Sequence, residues 1–412
     1  MSEATTPLRK LTLDDLHAAA GRLKNWGKWG PDDQIGILNY TTAEDIVAAA
    51  RLVRKGKVMS FALPFDEKGP QGAKSNYGAI GRFNPIHVML RAGTDAYSGV
   101  LDHRKIRGAD DMIIMPTQCG TQWDGLGHIF YGDRMWNGRD CRTVTSFGAQ
   151  ECGIEQTRAK MVGRGVLLDI PKMLGLDWLP DGFGITPEIL DQAEARFGVV
   201  AGRGDFLLVR TGHLDAKLAA GTWDGYSGGD APGLAFETLD WLHARQVAGI
   251  ATDPWGVEVR PNQTVDAAQP WHWIAIPIIG LSVGEIFTLA ELAADCAADG
   301  RYEFMFVAPA ASCSPSRPAW ERRDGMPGRS RWQSRPGASP SSRRSAFISR
   351  MWFGSTVAGG GGRSSSTTVP RLARSAPSGW PCRSPRPRSR LPPAPRRSAS
   401  PSWCAPRCPA RC

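Results

Sequence analysis

Two rhythms of apolar and polar residues alternate through residues 1–310. Ile46, Ala50 and Val53 recur at helical spacing behind Thr41 and Glu44, a pair set three apart as in a capping box. Thr186 as N-cap, Pro187 at the first helical position, Ile189, Ala193 and Phe197 within and Gly198 beyond the end predict a second helix. Ile286, Leu289, Ala290 and Ala293 predict a third, beginning near Ser282 and stopped by Gly300. Between them, β-rich runs at 58–63, 86–90, 112–115, 166–170, 206–210 and 302–307 predict strands. Several are apolar on both faces, as in a sheet covered on both sides, so an α/β body is expected.

Beyond Pro309 this patterning stops. Residues 311–412 carry 16 of the 31 prolines, a glycine run at 359–362 and no Lys, Asn, Tyr or His. No periodic apolar stretch there is able to offset the entropy of ordering the chain. The sequence therefore divides into a folded body, 1–310, and an Arg/Pro/Ser-rich tail, 311–412, expected to be disordered. The tail's composition is also what a shifted reading frame in a GC-rich gene yields.

The formal charge of +10 changes meaning once it is divided the same way. The tail holds 20 of the 50 Lys+Arg, all of them Arg, and its only acids are Glu321 and Asp324, leaving the body 30 basic and 38 acidic residues. Basicity belongs to the tail, and the body has no electrostatic claim on nucleic acid. No apolar run approaches the roughly 20 residues of a membrane span. The opening MSEATTPLRK lacks the apolar stretch of a secretory signal, so a cytoplasmic protein without membrane contact is expected. The body's cysteines, Cys119, Cys141, Cys152 and Cys296, are too scattered for a disulfide framework.

Chemistry concentrates in residues 116–130, PTQCGTQWDGLGHIF. Gln118, Gln122, Asp124 and His128 are interleaved with Gly120, Gly125 and Gly127 just after the apolar run 112–115, an arrangement that sets polar groups on an irregular loop over a strand. Asp124 suits a hard or borderline cation, or a turn cap; His128 suits a metal, a proton transfer near neutrality, or a packed core position. No P-loop is present and no G-x-G-x-x-G opens a helix, which argues against phosphoryl and hydride transfer.

The eleven residues Gln118 to His128 resemble the H-x-G-T-H-x-D-x-x-x-H signature of the cyclase superfamily, which includes bacterial kynurenine formamidase and isatin hydrolase; Gly120, Thr121, Asp124 and His128 match it. RTG at 210–212, GIATD at 249–253, His272 and Glu285 follow in the order that family uses, so the resemblance spans roughly residues 30–308. It implies a swivelling β/β/α fold with a mixed central sheet, a homo-oligomer, and a zinc or manganese cofactor. It also implies Asp124 as a bridging carboxylate, His272 and Glu285 as ligands, and His128 as general acid/base.

Gln118 and Gln122 stand where the family's first two His ligands stand. A neutral amide oxygen is a weaker zinc ligand than imidazole, so one divalent ion at Asp124, His272 and Glu285 is expected. Glu285 also has capping-box spacing from Ser282, and His272 sits between Trp271 and Trp273, so a helix cap and a packed core residue are the competing readings. Trp123, Phe130, Tyr131, Trp136 and Trp255 are aromatic enough to wall a pocket for a flat or cyclic small molecule, or to fill a core. The expected function is metal-dependent hydrolysis of an amide, lactam or related C–N bond. The alternatives are a lactone hydrolase or lyase and a ligand-binding relative without turnover.

Overall fold

The first two helices begin where side chains answer the backbone's own unpaired groups. In the computed structural model, which describes residues 7–71 and 82–310, α1 (Leu13–Arg22) starts at Thr12, whose hydroxyl and Asp15 form a reciprocal capping box. α2 (Ala43–Ala50) is capped by Thr42 and Asp45, one residue later than the spacing suggested. The reason is tertiary: Thr41 is buried and its hydroxyl donates to Gly204 O at 3.1 Å instead. α3 (Pro187–Phe197) has the predicted bounds, with Gly198 in the left-handed region at φ +64° ending it. α4 (His213–Ala220), α5 (Thr238–Arg245) and α6 (Ala290–Asp299) complete the longer helices.

β1 (Ile86–Arg91) and β2 (Asp110–Ile114) pair antiparallel as a separate ribbon. β3 (Gln122–Asp124), β4 (Val162–Asp169), β5 (Phe206–Arg210), β6 (Gly249–Thr252), β7 (Ser282–Glu285) and β8 (Glu303–Val307) form a six-stranded sheet in the order β8-β4-β5-β6-β7-β3. The four inner strands run parallel, and β8 and β3 close the two edges antiparallel, which is the expected mixed α/β sheet. Val166 to Leu168, Phe206 to Val209, Ile250 and Ala251 are buried, so these strands read as continuous apolar runs. At their carboxyl ends Arg210 pairs with Asp169 and Asp215, while Asp253 accepts from Thr211 N at 2.6 Å and Thr211 Oγ1 at 3.0 Å. The RTG and GIATD segments thereby tie neighbouring strands together.

Three expectations are corrected. Residues 58–63 form no strand: Ala62 makes an isolated bridge to Phe287, and Phe61 packs on Phe304 and Phe306 of β8. The runs 86–90 and 112–115 are not covered on both sides, since Ile86, Met89, Leu90, Met112, Ile113 and Ile114 are all exposed. Residues 282–285 are strand, not the start of the last helix, which begins at Ala290. The tail from residue 311 and its expected disorder lie outside the described residues. Among those described, no helix is long and apolar enough to cross a membrane.

Candidate metal and active site

The pairing of β3 with β7 assembles one wall of the site. Glu285 lies directly across from Gln122, Gly284 from Trp123 and Val283 from Asp124. Alternation puts Gln122, Asp124 and Glu285 on one face and Trp123 on the other. Gly284 is required there, because a Cβ would lie 2.9 Å from the Trp123 ring. The face shared by Gln122 and Glu285 is confirmed by contact: Gln122 Nε2 donates to Glu285 Oε2 at 2.7 Å. Glu285 therefore caps no helix.

His272 enters from the short helix Pro270–Ile274 and is buried. Its Nδ1 faces Glu258 Oε1 at 2.5 Å and its Nε2 faces Glu285 Oε1 at 3.1 Å. Burial opposes charging of the ring, but the hydrogen bonds to Glu258 and Glu285 outweigh it and push its pKa up to about 10. Glu258, itself buried, also accepts from the backbone N–H groups of Trp271 and His272 and from Asn262 Nδ2. Such a carboxylate fixes the tautomer and aim of a ligating imidazole. Sequence reading passed Glu258 over; the only signal was an acid within the apolar stretch after Trp255.

One oxygen or nitrogen from each of Asp124, His272 and Glu285 lies within 4.8 Å of the others, and all three residues are buried. Asp124 Oδ1 and Gln122 Oε1 are buried with no hydrogen-bond partner among the described residues. Two orphaned oxygens beside a carboxylate and an imidazole fit a single cation. Burial pushes Asp124 up to about 6, with Glu285 adding to the rise and His128, His272 and Arg82 opposing it.

The remaining motif residues divide between chemistry and support. His128, 30% exposed, holds its Nε2 3.9 Å from Asp124 Oδ1 and faces solvent. Thr121 Oγ1 accepts from Leu63 N and donates to Ile286 O, pinning the β-branched Ile286 in the left-handed region at φ +59° immediately after Glu285. Gln118 is not drawn to the triad by any hydrogen bond among the described residues; its amide oxygen accepts from Thr117. Ser227 lies in GYSGG, but its hydroxyl donates to Pro70 O and the segment is a turn rather than a strand-to-helix elbow.

The aromatic residues separate in the same way. Trp123 packs edge-on against Phe206, Phe287 and Phe306, in the core and away from the triad. Trp136 is fully buried, lies against Gly280 and donates its Nε1 to Asp33. Trp136 fills the interior and Trp123 packs half-buried against the core, the second of the two readings these aromatics allowed. Phe130 is half-buried, with its carbonyl taking a hydrogen bond from Trp273, and Trp255 lies in a second apolar cluster with Leu63, Tyr226 and Ile286.

With this geometry in view, residues 40–259 match the Cyclase family. A crystal structure described as a novel cyclase is 39% identical with a TM-score of 0.63, over 70% of this chain and 94% of its own. Isatin hydrolase A from Labrenzia aggregata, bound to benzyl benzoate, aligns at 18% identity and TM-score 0.41 over 57% and 82%. An isatin hydrolase bound to the product analogue thioisatinate aligns at 14% and 0.43 over 61% and 88%. Likeness as low as in these last two carries nothing about the reaction. No curated protein matches the chain.

Proposed function

The chain belongs to the Cyclase family, and from that premise we propose that it is a metal-dependent hydrolase of the kynurenine formamidase kind, cleaving an amide, lactam or related C–N bond in a small aromatic or cyclic substrate. The observation that carries this reading is the convergence of Asp124, His272 and Glu285, drawn from distant stretches of chain, around the orphaned oxygens of Gln122 and Asp124. Asp124, His272 and Glu285 would hold one zinc or manganese ion, with Gln122 offering a neutral oxygen. When bound, such an ion polarises a carbonyl and makes water more acidic.

The protein's own groups do the rest. Glu258 holds His272 Nδ1, so that Nε2 is the atom presented to the triad. His128, close to Asp124 and open to solvent, carries a proton on Nε2 to the leaving nitrogen. In this reading Phe130 and Trp255 border the small substrate. A homo-oligomer is part of this reading, supported by the contiguous exposed apolar side chains of the β1–β2 ribbon. Sedimentation of the full chain beside Ile113→Asp tests it, with the variant expected to be smaller.

Elemental analysis together with turnover of amide, lactam and lactone panels tests the main proposal. One bound divalent ion per chain, with amine or ammonia released from an amide or lactam and activity lost in Asp124→Ala, is expected. Activity unchanged in metal-free protein and in Asp124→Ala would reject it.

A further inference from the structure

Trp255 stands where the site meets the second apolar cluster. Ile286, directly after Glu285, packs in that cluster and donates its N–H to Pro254 O at 3.1 Å. A Cβ on the next residue, Gly256, would lie 3.9 Å from Glu285 Oε1, so the chain around Trp255 borders the triad. The Arg82 guanidinium lies over the Trp255 ring, 5.0 Å from its centroid. A guanidinium stacked on an indole is attracted by the ring face and keeps its in-plane N–H fork available for a carboxylate.

Among the described residues no carboxylate forms an ion pair with Arg82. Its charge nevertheless stands beside the site, since the Trp255 ring it covers directly precedes Gly256, where a Cβ would lie 3.9 Å from Glu285 Oε1. The other charges at the centre are the carboxylates of Asp124, Glu258 and Glu285 and the imidazole of His272. An anionic group on a ligand is repelled there by the carboxylates and attracted at Arg82.

We propose that Arg82, seated on Trp255, is a carboxylate-binding subsite beside the triad, and that the substrate is a small amide or lactam carrying an acid group of its own. The hydrolase reading supplies only the reacting half of that ligand; the binding half is separable. Benzoate and its neutral isostere benzamide, titrated calorimetrically against the full chain stripped of metal, test it without any cation to hold the carboxylate. Benzoate is expected to bind about tenfold tighter than benzamide, Arg82→Met to abolish the preference and Arg82→Lys to keep part of it. Equal binding of the two probes by the unaltered chain, or a preference that survives Arg82→Met, overturns the subsite.

With the metal-loaded chain, Arg82→Met should raise KM about tenfold for an acid-bearing amide and leave a neutral analogue unchanged. An equal rise for both overturns the substrate class and assigns the anion to the bond being cleaved. Because the first assay needs no turnover, a hydrolase without the benzoate preference defeats the subsite alone. A preference in a chain that hydrolyses nothing defeats the hydrolase reading alone.

Discussion

The two sides of the site are satisfied to different degrees. On the side of the short helix, His272 is held at both ring nitrogens and Glu258 accepts four hydrogen bonds. On the side of β3, Asp124 Oδ1 and Gln122 Oε1 are buried without a hydrogen-bond partner among the described residues, His128 Nε2 standing 3.9 Å from the former. The first side is set by protein contacts alone. The second leaves acceptors that only a donor or a cation completes, and that difference locates where a ligand contributes free energy.

Removing the orphaned carboxylate should have the largest effect. Asp124→Asn keeps the shape and loses the charge; metal affinity and turnover are expected to fall by at least about a hundredfold, as read by equilibrium metal binding and steady-state rates. Disturbing the satisfied side should matter less: Glu258→Gln is expected to weaken metal binding by about 10–100-fold while the fold persists by circular dichroism. Gln122→His replaces an orphaned amide oxygen with an imidazole and should tighten binding about tenfold, with a second ion measurable by elemental analysis.

The smallest effect is on stability against pH in the metal-free protein. The pKa of His272 is raised from 6.5 to about 10, so the folded state binds the extra proton between those values. Its contribution is fully present below pH 6.5 and is lost as pH rises through 10. Asp124 is raised from 3.8 to about 6, so it too favours the folded state at lower pH, over the window from 6 down to 3.8. Thermal melts should show two separate limbs. Glu258→Gln should flatten the alkaline one and Asp124→Asn the acidic one; a single limb moved by both variants would erase the distinction between the two sides.

How much of this was legible in the sequence depended on where the deciding contact lay. α3 carried both of its punctuation residues within its own thirteen positions, 186–198, and its bounds were read correctly. Glu285 was harder, since Ser282 and Glu285 mimic a capping box. What makes the segment a strand is its pairing with β3 and the absence of a side chain at Gly284 beneath Trp123. Asp124, His272 and Glu285 were named from the motif and the order of segments, yet their convergence rests on register and on a helix turn that no local pattern reveals. Glu258 was missed for the same reason, its partner His272 being fourteen residues away. Whether Trp123 and Trp136 wall a pocket or fill a core was left open by the sequence, because hydrophobicity says neither which face of a strand meets the core, as for Trp123, nor how a short turn such as Trp136–Gly138 packs.

The most direct test of the central claim is the number of manganese ions bound at equilibrium by the dialysed full-length chain and by Asp124→Asn. One ion per chain, lost in the variant, is the predicted result. No ion taken up by either protein, or the same uptake by both, would contradict it.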